Sequence, residues 1–248
     1  MDEAVPAPRP APPLGNSALQ TRTLESLTSA VNYHRWLTDL ARPHLGEHPM
    51  ELGSGLGDYA EMWLAGGLPE ITVTEIDPGR AAVLQERFVD RPEVHVRIID
   101  VLDPPPGKHS AFVAFNVLEH IPDDVGALRA AHTLVRPGGT VVMFVPAFQL
   151  AMSRFDREVG HVRRYSKRSL RKTMEAAGLA VDDVRYVDMP GLPAWIVGMR
   201  LLGMTPGDGA VVRLWDRMVI PVTRWIEARI RAPFGKSLLA VAHVPGRA

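Results

Sequence analysis

The sequence predicts an α/β fold in which a parallel sheet is covered by helices on both faces. Strand-like apolar segments alternate with helical segments between residues 50 and 146. The run at 111–115, within the expected strand 111–116, is apolar throughout, as expected for a parallel strand buried on both faces. A glycine-rich loop follows the first strand. Together these features imply a doubly wound sheet with right-handed crossovers.

The N-terminal part of the chain divides into a tail and a helix. Residues 1–16 are rich in proline and alanine, which predicts a disordered tail. Leucines recur at helical spacing over residues 17–42 and predict a leading helix. We therefore expect the folded domain to comprise residues 17–248.

The elements of the first half are predicted from periodicity and turn residues. The expected strands are short and follow one another at regular distances: 50–52, 70–76, 94–99, 111–116 and 140–146. The expected helices lie between them: 58–65, a helix starting at Pro78, and a helix from Pro122 to about residue 135. A turn is expected at 136–139, where the sequence is Arg-Pro-Gly-Gly.

The second half is less regular. A loop over 147–178, ending in a basic-faced helix at 165–178, precedes a strand at 179–187. Residues 190–233 contain tryptophan and methionine and predict two or three amphipathic helices, interrupted at 205–209. The last predicted strand is 237–244. We expect 147–178 to act as a substrate loop or lid and 190–233 as a helical cap, although ordinary helix packing or a dimer surface would give the same pattern in the cap.

Composition restricts the classes of function. The chain has 248 residues, no cysteine and a formal net charge of zero. It therefore has no disulfide framework or thiolate metal site, and its charge balance argues against a general binder of nucleic acid or anionic membranes. No apolar run is long enough to span a bilayer, and the N-terminus lacks a signal pattern. A cytoplasmic protein is expected.

The most informative stretch is the loop after the first strand, Glu51-Leu-Gly-Ser-Gly-Leu-Gly57. Glycine lets a ligand approach the main chain, and the helix that follows offers free N–H groups. The loop lacks the lysine of a phosphate-binding loop. Glu75 ends the next strand roughly 20 residues later, where a ribose-binding acid belongs. A nucleotide-type cofactor is therefore expected.

Five motifs together resemble the class I S-adenosylmethionine (SAM) dependent methyltransferases. They occur in the family's order: Glu51-Leu-Gly-Ser-Gly-Leu-Gly57, Val73-Thr-Glu-Ile-Asp-Pro78, Ile98-Ile-Asp-Val101, Asn116-Val-Leu-Glu-His-Ile121 and Leu134-Val-Arg-Pro-Gly-Gly-Thr-Val-Val142. The resemblance implies a Rossmann-like seven-stranded sheet with antiparallel pairing at its end, a leading helix, and a helical insertion before the last strand. It also implies SAM as cofactor and S-adenosylhomocysteine (SAH) as product.

The resemblance assigns cofactor contacts residue by residue. It places Gly53, Gly55 and Gly57 at the methionine part of SAM, behind the acid Glu51. It places Glu75 at the ribose, with Ile76 next to it. It places Asp100 at the adenine amino group beside the apolar Val101, although Asp100 would also suit a helix cap. Asn116 would lie near the methionine amino group and the sulfonium.

Catalysis by such an enzyme depends mostly on positioning, because the sulfonium is already a good leaving group. A base is needed only when the acceptor loses a proton. His120, with Glu119 beside it, follows the fourth strand and is one candidate. His161 and Tyr165 are others. Each has a structural alternative: a histidine that caps a turn, or an ion-paired lid.

His161 lies in Asp156-Arg-Glu-Val-Gly-His-Val-Arg-Arg-Tyr-Ser166. This run resembles a group of bacterial methyltransferases with a Gly-His-x-Arg-Arg-Tyr signature. Arg163 and Arg164 are candidate substrate-binding residues, as are Tyr33 in the leading helix and Trp195 in the cap. The basic residues of 163–172 fit either a solvated face or a grip on an anionic group.

A metal-assisted mechanism is the main alternative. Ubiquinone-pathway and small-RNA 2′-O-methyltransferases carry Glu-x-x-Glu-His at this place, and the present chain has Asn116 where their first glutamate stands. Loss of a carboxylate weakens a site for a hard cation, so no metal is predicted.

The sequence thus predicts a methyltransferase that acts on an oxygen, nitrogen or carbon atom of a small molecule in secondary or lipid-linked metabolism. The acceptor is expected to be either anionic, or aromatic and apolar. The protein is expected to be a monomer or homodimer that binds no nucleic acid. A SAM- or SAH-binding protein without turnover is a further alternative.

Overall fold

The computed structural model describes residues 15–204 and 209–246. Its centre is one seven-stranded sheet in the order β3-β2-β1-β4-β5-β7-β6. The strands are β1 Met50–Leu52, β2 Ile71–Thr74, β3 Val94–Arg97, β4 His109–Phe115, β5 Val135–Pro146, β6 Ala180–Val187 and β7 Ser237–His243. Strands β1 to β5 are parallel, and β7 runs antiparallel between β5 and β6. The predicted Rossmann-like α/β class is confirmed.

Eleven helices are found among the described residues. They are α1 Ser17–Leu27, α2 Val31–Ala41, α3 Asp58–Ala65, α4 Pro78–Arg87, α5 Asp124–Arg129, α6 Ala131–Leu134, α7 Arg154–Glu158, α8 Lys167–Ala176, α9 Gly191–Trp195, α10 Gly209–Met218 and α11 Ile220–Glu227. A π-helical turn, Ile196–Leu201, extends α9. None of these helices is long and apolar enough to cross a membrane.

The core lies on both faces of the sheet because side chains of the central strands alternate. Phe112 and Met143 point to the face covered by α5, α6 and α8, where Leu128 and Leu170 meet them. Val113, Phe115 and Phe144 point to the opposite face, which is covered by α2, α3 and α4. Burial of both faces explains the continuous apolar run of β4.

Several strand ends differ from the prediction by one or two residues, and three of the predicted helices differ more. The single helix expected at 17–42 is two helices, and Thr28 and Ser29 at the break bond their hydroxyls to the carbonyls of Glu25 and Ser26, which competes with helix continuation. The helix expected from Pro122 begins at Asp124 and is divided at Ala130, the N-cap of α6. The basic-faced helix begins at Lys167, capped by Ser166, rather than at residue 165.

The turn expected at 136–139 is an irregular part of β5 instead. Val135 is already paired with His109, and regular pairing resumes with Thr140 opposite Ala111. Gly138, with φ 76°, accommodates the extra residues.

Residues 1–14 of the predicted tail and residues 205–208 of the predicted interruption lie outside the described residues. Asn16, which the prediction placed in the tail, caps α1 by accepting a hydrogen bond from the Leu19 N–H. Pro49 remains compatible with its central position because its carbonyl accepts a bond from Thr72 N at 3.0 Å.

Candidate functional site

A cavity of about 590 Å³ opens at the carboxyl edge of the parallel strands. Its walls come from the glycine loop, the ends of β2 and β4, the segment after β3, the helices α1 and α2, and the segment 147–178. This edge is where ligands bind in open α/β sheets. Twelve of the predicted site residues border it: Tyr33, Gly53, Gly55, Glu75, Ile76, Asp100, Val101, Asn116, His120, His161, Arg164 and Trp195.

The glycine loop supplies the floor of the cavity. Gly55 has φ 58°, in the left-handed region that glycine enters without strain. Its N–H donates a 3.1 Å hydrogen bond to Glu75 Oε2, and Ser54 N–H donates to the Thr74 carbonyl at 2.7 Å. The loop is therefore fastened to the end of β2.

Glu75 is held from three sides. Its Oε1 accepts hydrogen bonds from the Asp77 N–H at 3.0 Å and from Arg80 Nη2 at 3.1 Å, in addition to the bond from Gly55 to Oε2. A carboxylate has about four acceptor positions, so roughly one stays open on Oε2. A ribose diol would use this position or displace one of the present donors. Sequence reasoning missed Arg80, because a cation one turn into a helix resembles an ordinary surface residue.

The other residues that were predicted to bind the cofactor lie on both sides of Glu75. Asp100 borders the cavity, and its Oδ1 also accepts the Leu102 N–H at 2.9 Å, so it caps the following turn at the same time. Val101 provides an apolar wall. Asn116 has φ 53°, a conformation that asparagine tolerates better than most residues. That conformation turns the chain away from the sheet after β4.

Glu51 and Gly57 are not among the described residues that border the cavity. Gly57 has φ 88°, and a Cβ there would lie 2.8 Å from the Phe88 ring, so its role is to let α3 pack closely. Glu51 is buried, and its Oε2 has no hydrogen-bond partner among the described residues. Burial raises the pKa of the Glu51 carboxyl to about 7.

The two candidate histidines meet at the other end of the cavity. The rings of His120 and His161 are 4.6 Å apart and nearly perpendicular. Burial, followed by the neighbouring His161, lowers the pKa of His120 to about 3. His120 is thus a neutral imidazole and a weak base, which does not favour its predicted role as a general base.

His161 lies between two buried carboxyl groups. Its Nδ1 is 3.0 Å from Asp156 Oδ1, and its Nε2 is 3.8 Å from Glu119 Oε1. Glu119 does not border the cavity itself. Neither of its oxygens has a hydrogen-bond partner in the described part of the chain, and burial raises its pKa to about 7.

Arg164 and Trp195 form one wall of the cavity. Arg164 Nη2 pairs with Asp156 Oδ1 at 2.8 Å inside the protein. The guanidinium lies 4.8 Å from the centre of the Trp195 ring, and Trp195 Nε1 donates to the Ala151 carbonyl at 3.1 Å. Trp195 is the residue of the predicted cap that borders the cavity. Asp156 was not predicted, although it opens the motif that contains His161.

Arg163 and Tyr165 lie away from the cavity. Both contact Asp124 at the start of α5: the Tyr165 hydroxyl donates to Asp124 Oδ2 at 2.9 Å, and Arg163 Nη1 is 2.6 Å from the same oxygen. Burial raises the pKa of Tyr165. This geometry gives both residues a structural role in fastening the segment 147–178 to α5, and it does not favour the predicted roles in acid–base catalysis or substrate binding.

Tyr33 has an unforeseen neighbour. Lys236, just before β7, lies 4.7 Å from the centre of the Tyr33 ring, and its Nζ is 3.3 Å from Asp188 Oδ2. Burial opposes the charge, but Tyr33 and Asp188 raise the pKa of Lys236 above its usual value. Tyr33 and Lys236 are about two hundred residues apart in the chain, so local patterns could not have joined them.

Among the residues that the structure describes, two clusters of side chains carry donor sets that suit a metal ion. In the first, one ligand atom from each of Glu119, His120 and His161 lies within 4.8 Å of the others. The same holds in the second for His48, Glu70 and His95, which lie just before or at the start of parallel strands, at the opposite edge of the sheet. The first borders the cavity and the second does not.

The fold and the cavity define a Rossmann-like protein with a nucleotide-type site. A family model described as a methyltransferase domain matches residues 30–184. The chain belongs to this methyltransferase domain family.

Two curated relatives have the same name, ubiquinone biosynthesis O-methyltransferase. The one from Aeromonas salmonicida (strain A449) is 26% identical over 171 residues, which cover 61% of this chain and 71% of that protein. The one from Pseudomonas syringae pv. tomato is 33% identical over 102 residues, which cover 39% of this chain and 43% of that protein. This chain therefore spans less than half of the second relative.

Solved structures show the same fold at low sequence identity. A chain from the complex of the Haloferax volcanii Trm112 methyltransferase activator with a methyltransferase superposes with a TM-score of 0.63, at 16% identity, over 93% of this chain and 99% of that one. A geranyl diphosphate C-methyltransferase from Streptomyces coelicolor A3(2), solved with Mg²⁺, geranyl-S-thiolodiphosphate and SAH, gives 0.59 at 15% identity over 84% and 75%.

Proposed function

We propose that this protein transfers the methyl group of SAM to an oxygen, nitrogen or carbon atom of a small, neutral molecule with an apolar or aromatic body. The observation that carries the proposal is the single cavity that extends from the glycine loop and Glu75 to Asn116, His161 and Trp195. It offers a nucleotide-type site at one end and an aromatic wall at the other.

One buried atom at the cavity supports SAM as the cofactor. Arg80 borders the cavity, and its Nε is a donor without a hydrogen-bond partner within the residues described. SAM presents several oxygen acceptors, so it contains the missing kind of partner. Gly53 and Gly55 would contact its methionine part, Glu75 the ribose, and Asp100 with Val101 the adenine.

The charges at the cavity favour a neutral acceptor. Three cations border it, and each is paired with a buried carboxylate: Arg80 with Glu75, Arg164 with Asp156, and Lys236 with Asp188. A paired cation attracts an anion less than a free one does. The other basic residues of 163–172 do not border the cavity, so a phosphate or carboxylate grip is not supported there.

In this mechanism SAM supplies an electrophilic methyl group, and the protein supplies geometry and, for a hydroxyl acceptor, a base. His161 is better suited to be that base than His120. Asp156 lies 3.0 Å from its Nδ1 and would stabilise an imidazolium, as a carboxylate does in other carboxylate–histidine pairs. The apolar wall of Trp195 and Phe155 would exclude water from the acceptor.

Calorimetry with SAH tests the cofactor assignment. Glu75→Gln removes one charged acceptor at the proposed ribose site, which should weaken SAH binding roughly 10- to 150-fold, since a hydrogen bond to a charged group contributes about 1.5–3 kcal/mol. Glu86→Gln, an exposed change on α4, is the control and should bind SAH normally. Failure of the wild type to bind SAH would reject the proposed function. Binding of SAH without transfer from labelled SAM to any member of a panel of phenols and hydroxylated lipids would favour a binding protein without turnover.

A metal-assisted O-methyltransferase is the second candidate, because of the cluster of Glu119, His120 and His161. Both Glu119 oxygens and His120 Nδ1 are buried and lack hydrogen-bond partners in the described segments. A carboxylate and two imidazoles suit Zn²⁺, Fe²⁺ or Mn²⁺ better than Mg²⁺. Asn116 stands where a glutamate would supply a fourth ligand, so the cluster has fewer carboxylate oxygens.

The metal candidate predicts that Mn²⁺ raises the melting temperature of the wild type and that His161→Gln abolishes this rise. His95→Gln, in the cluster at the opposite edge of the sheet, is the matched control and should preserve the rise. If both variants respond like the wild type, or if the wild type does not respond, the candidate fails. Membership of the Gly-His-x-Arg-Arg-Tyr group, the metabolic setting, the cytoplasmic location and the oligomeric state stay predictions.

A further inference from the structure

Helices α10 and α11 form one continuous helical surface. Hydrogen bonds of helical spacing cross the junction, from Val219 N to the Trp215 carbonyl at 2.8 Å and from Thr223 N to the Val219 carbonyl at 2.9 Å. Side chains at intervals of three and four residues therefore share a face along both helices.

One face of this surface is apolar and turned outward. Val211, Leu214, Met218, Val222 and Trp225 follow one another at intervals of three, four, four and three residues, and they are 57–65% exposed. We call these five residues the apolar strip. Single exposed apolar residues are ordinary, but a contiguous row of this length indicates an interaction surface.

The apolar strip continues into a groove of about 510 Å³. Met218 and Val222 belong to both, and Met189, Pro193 and Phe234 form the other side of the groove. The exposed apolar surface is therefore wider than one helix.

Arginines border the apolar strip on its other side. Arg213, Arg217 and Arg224 are spaced by four and seven residues and lie between the strip and the buried face of the helix; we call them the arginine row. Arg224 pairs with Asp39 at 2.7 Å, whereas Arg217 makes no hydrogen bond or ion pair with any residue that the structure describes. Arg229, two residues after the end of α11, places its guanidinium carbon 4.1 Å from the centre of the Trp225 ring.

The two carboxylates of this helical surface point inward. Asp216 accepts hydrogen bonds from the N–H groups of Asn32 and Tyr33, at 3.0 and 2.8 Å. Glu227 accepts those of Asp188 and Met189, at 3.1 and 2.8 Å. The outward face of the helices is thus apolar and positive, although the whole chain has no net charge.

We propose that the apolar strip and the arginine row bind the surface of an anionic lipid bilayer. A helix that lies in the interface needs an apolar face of this kind, basic residues beside it and an aromatic anchor such as Trp225. A second copy of the chain fits less well, because a two-fold contact brings the same patch against itself and would place two arginine rows close together. The proposal does not depend on methyl transfer.

Helix α10, which carries part of the apolar strip, packs against a helix that borders the cavity. Asp216 joins α10 to the start of α2, and Tyr33 of α2 borders the cavity. A bilayer on the apolar strip would therefore lie about one helix diameter, roughly 10 Å, from a helix that forms the cavity wall.

Co-sedimentation of the full chain with vesicles tests the proposal. The wild type should bind phosphatidylcholine vesicles that contain a third of phosphatidylglycerol, and not pure phosphatidylcholine, and high salt should release it. The double variant Arg213→Gln/Arg217→Gln should bind roughly 30-fold more weakly, from about fivefold for each cation near an anionic surface. Leu214→Ser/Trp225→Ser should lower binding by roughly tenfold or more, because it removes apolar area from the interface.

Matched controls separate this surface from general effects. Arg97→Gln/Arg168→Gln and Val83→Ser/Val89→Ser alter exposed residues elsewhere and should bind like the wild type. Absence of wild-type binding in low salt, or equal loss in the controls, would overturn the proposal. Light scattering without vesicles decides the rival occupant: a wild-type dimer that Leu214→Ser/Trp225→Ser separates would assign the strip to a second copy instead.

Discussion

Glu119 offers the sharpest test of the site's electrostatics. Its carboxyl is fully buried, lacks hydrogen-bond partners in the described part of the chain, and has a pKa of about 7 instead of 4.5. A carboxyl whose pKa rises on folding holds a proton that the unfolded chain has released. The raised pKa therefore lowers the free energy of unfolding as the pH increases from 4.5 to about 7, and this penalty stays constant at higher pH.

Glu119→Gln should remove this penalty, because the amide has the same shape and no charge. With about 1.4 kcal/mol for each pH unit, the interval between 4.5 and about 7 corresponds to a gain of about 3 kcal/mol at pH 8 and about 1 kcal/mol at pH 5. The free energy of unfolding in urea, measured with chelator at both pH values, gives the comparison.

The pH dependence of the gain is the decisive result. Glu86→Gln changes an exposed carboxylate and should leave the unfolding free energy nearly unchanged at both pH values. A Glu119→Gln variant that is less stable than the wild type at pH 8 would refute the reasoning, because it would show that the carboxylate is charged and stabilised by a partner such as His161.

Two further changes test the packing around the cavity, each against a matched control in urea unfolding. Gly57→Ala should lower the free energy of unfolding by about 2–4 kcal/mol, because it adds a Cβ 2.8 Å from the Phe88 ring to the strain of φ 88°. The control Gly138→Ala, with φ 76° and nothing within 4 Å of the added Cβ, should lower it by only about 1–2 kcal/mol. Equal losses would mean that the Phe88 ring moves aside freely. Asp156→Asn should lower the free energy of unfolding by about 3–5 kcal/mol, because it leaves the Arg164 charge buried without its partner. The control Glu158→Gln breaks only the exposed pair with Arg154 and should lower it by less than about 1 kcal/mol. A small loss in Asp156→Asn would show that water or His161 compensates the Arg164 charge.

The sequence was sufficient for the order of the strands along the chain and for the residues that follow them. β1 was predicted at its observed boundaries. Glu75 and Asn116 lie at the cavity because each directly follows a parallel strand, and Asp100 lies there three residues after the end of β3. Alternation, apolar runs and glycine spacing are local properties, and the carboxyl ends of parallel strands meet at one edge whatever the loops do. Boundaries failed where local hydrogen bonds intervened, as at Thr28 and Ser29.

The sequence by itself determined the class of the sheet, the kind of cofactor and the family. Only the tertiary structure decided which polar residues border the cavity. It removed Tyr165 and Arg163 from it by tying both to Asp124, brought Lys236 to Tyr33, and placed His120 where burial suppresses its charge. The physical reason is that such partners lie far apart in the chain, so their contacts and their loss of water depend on how helices pack over the sheet, which no local pattern contains.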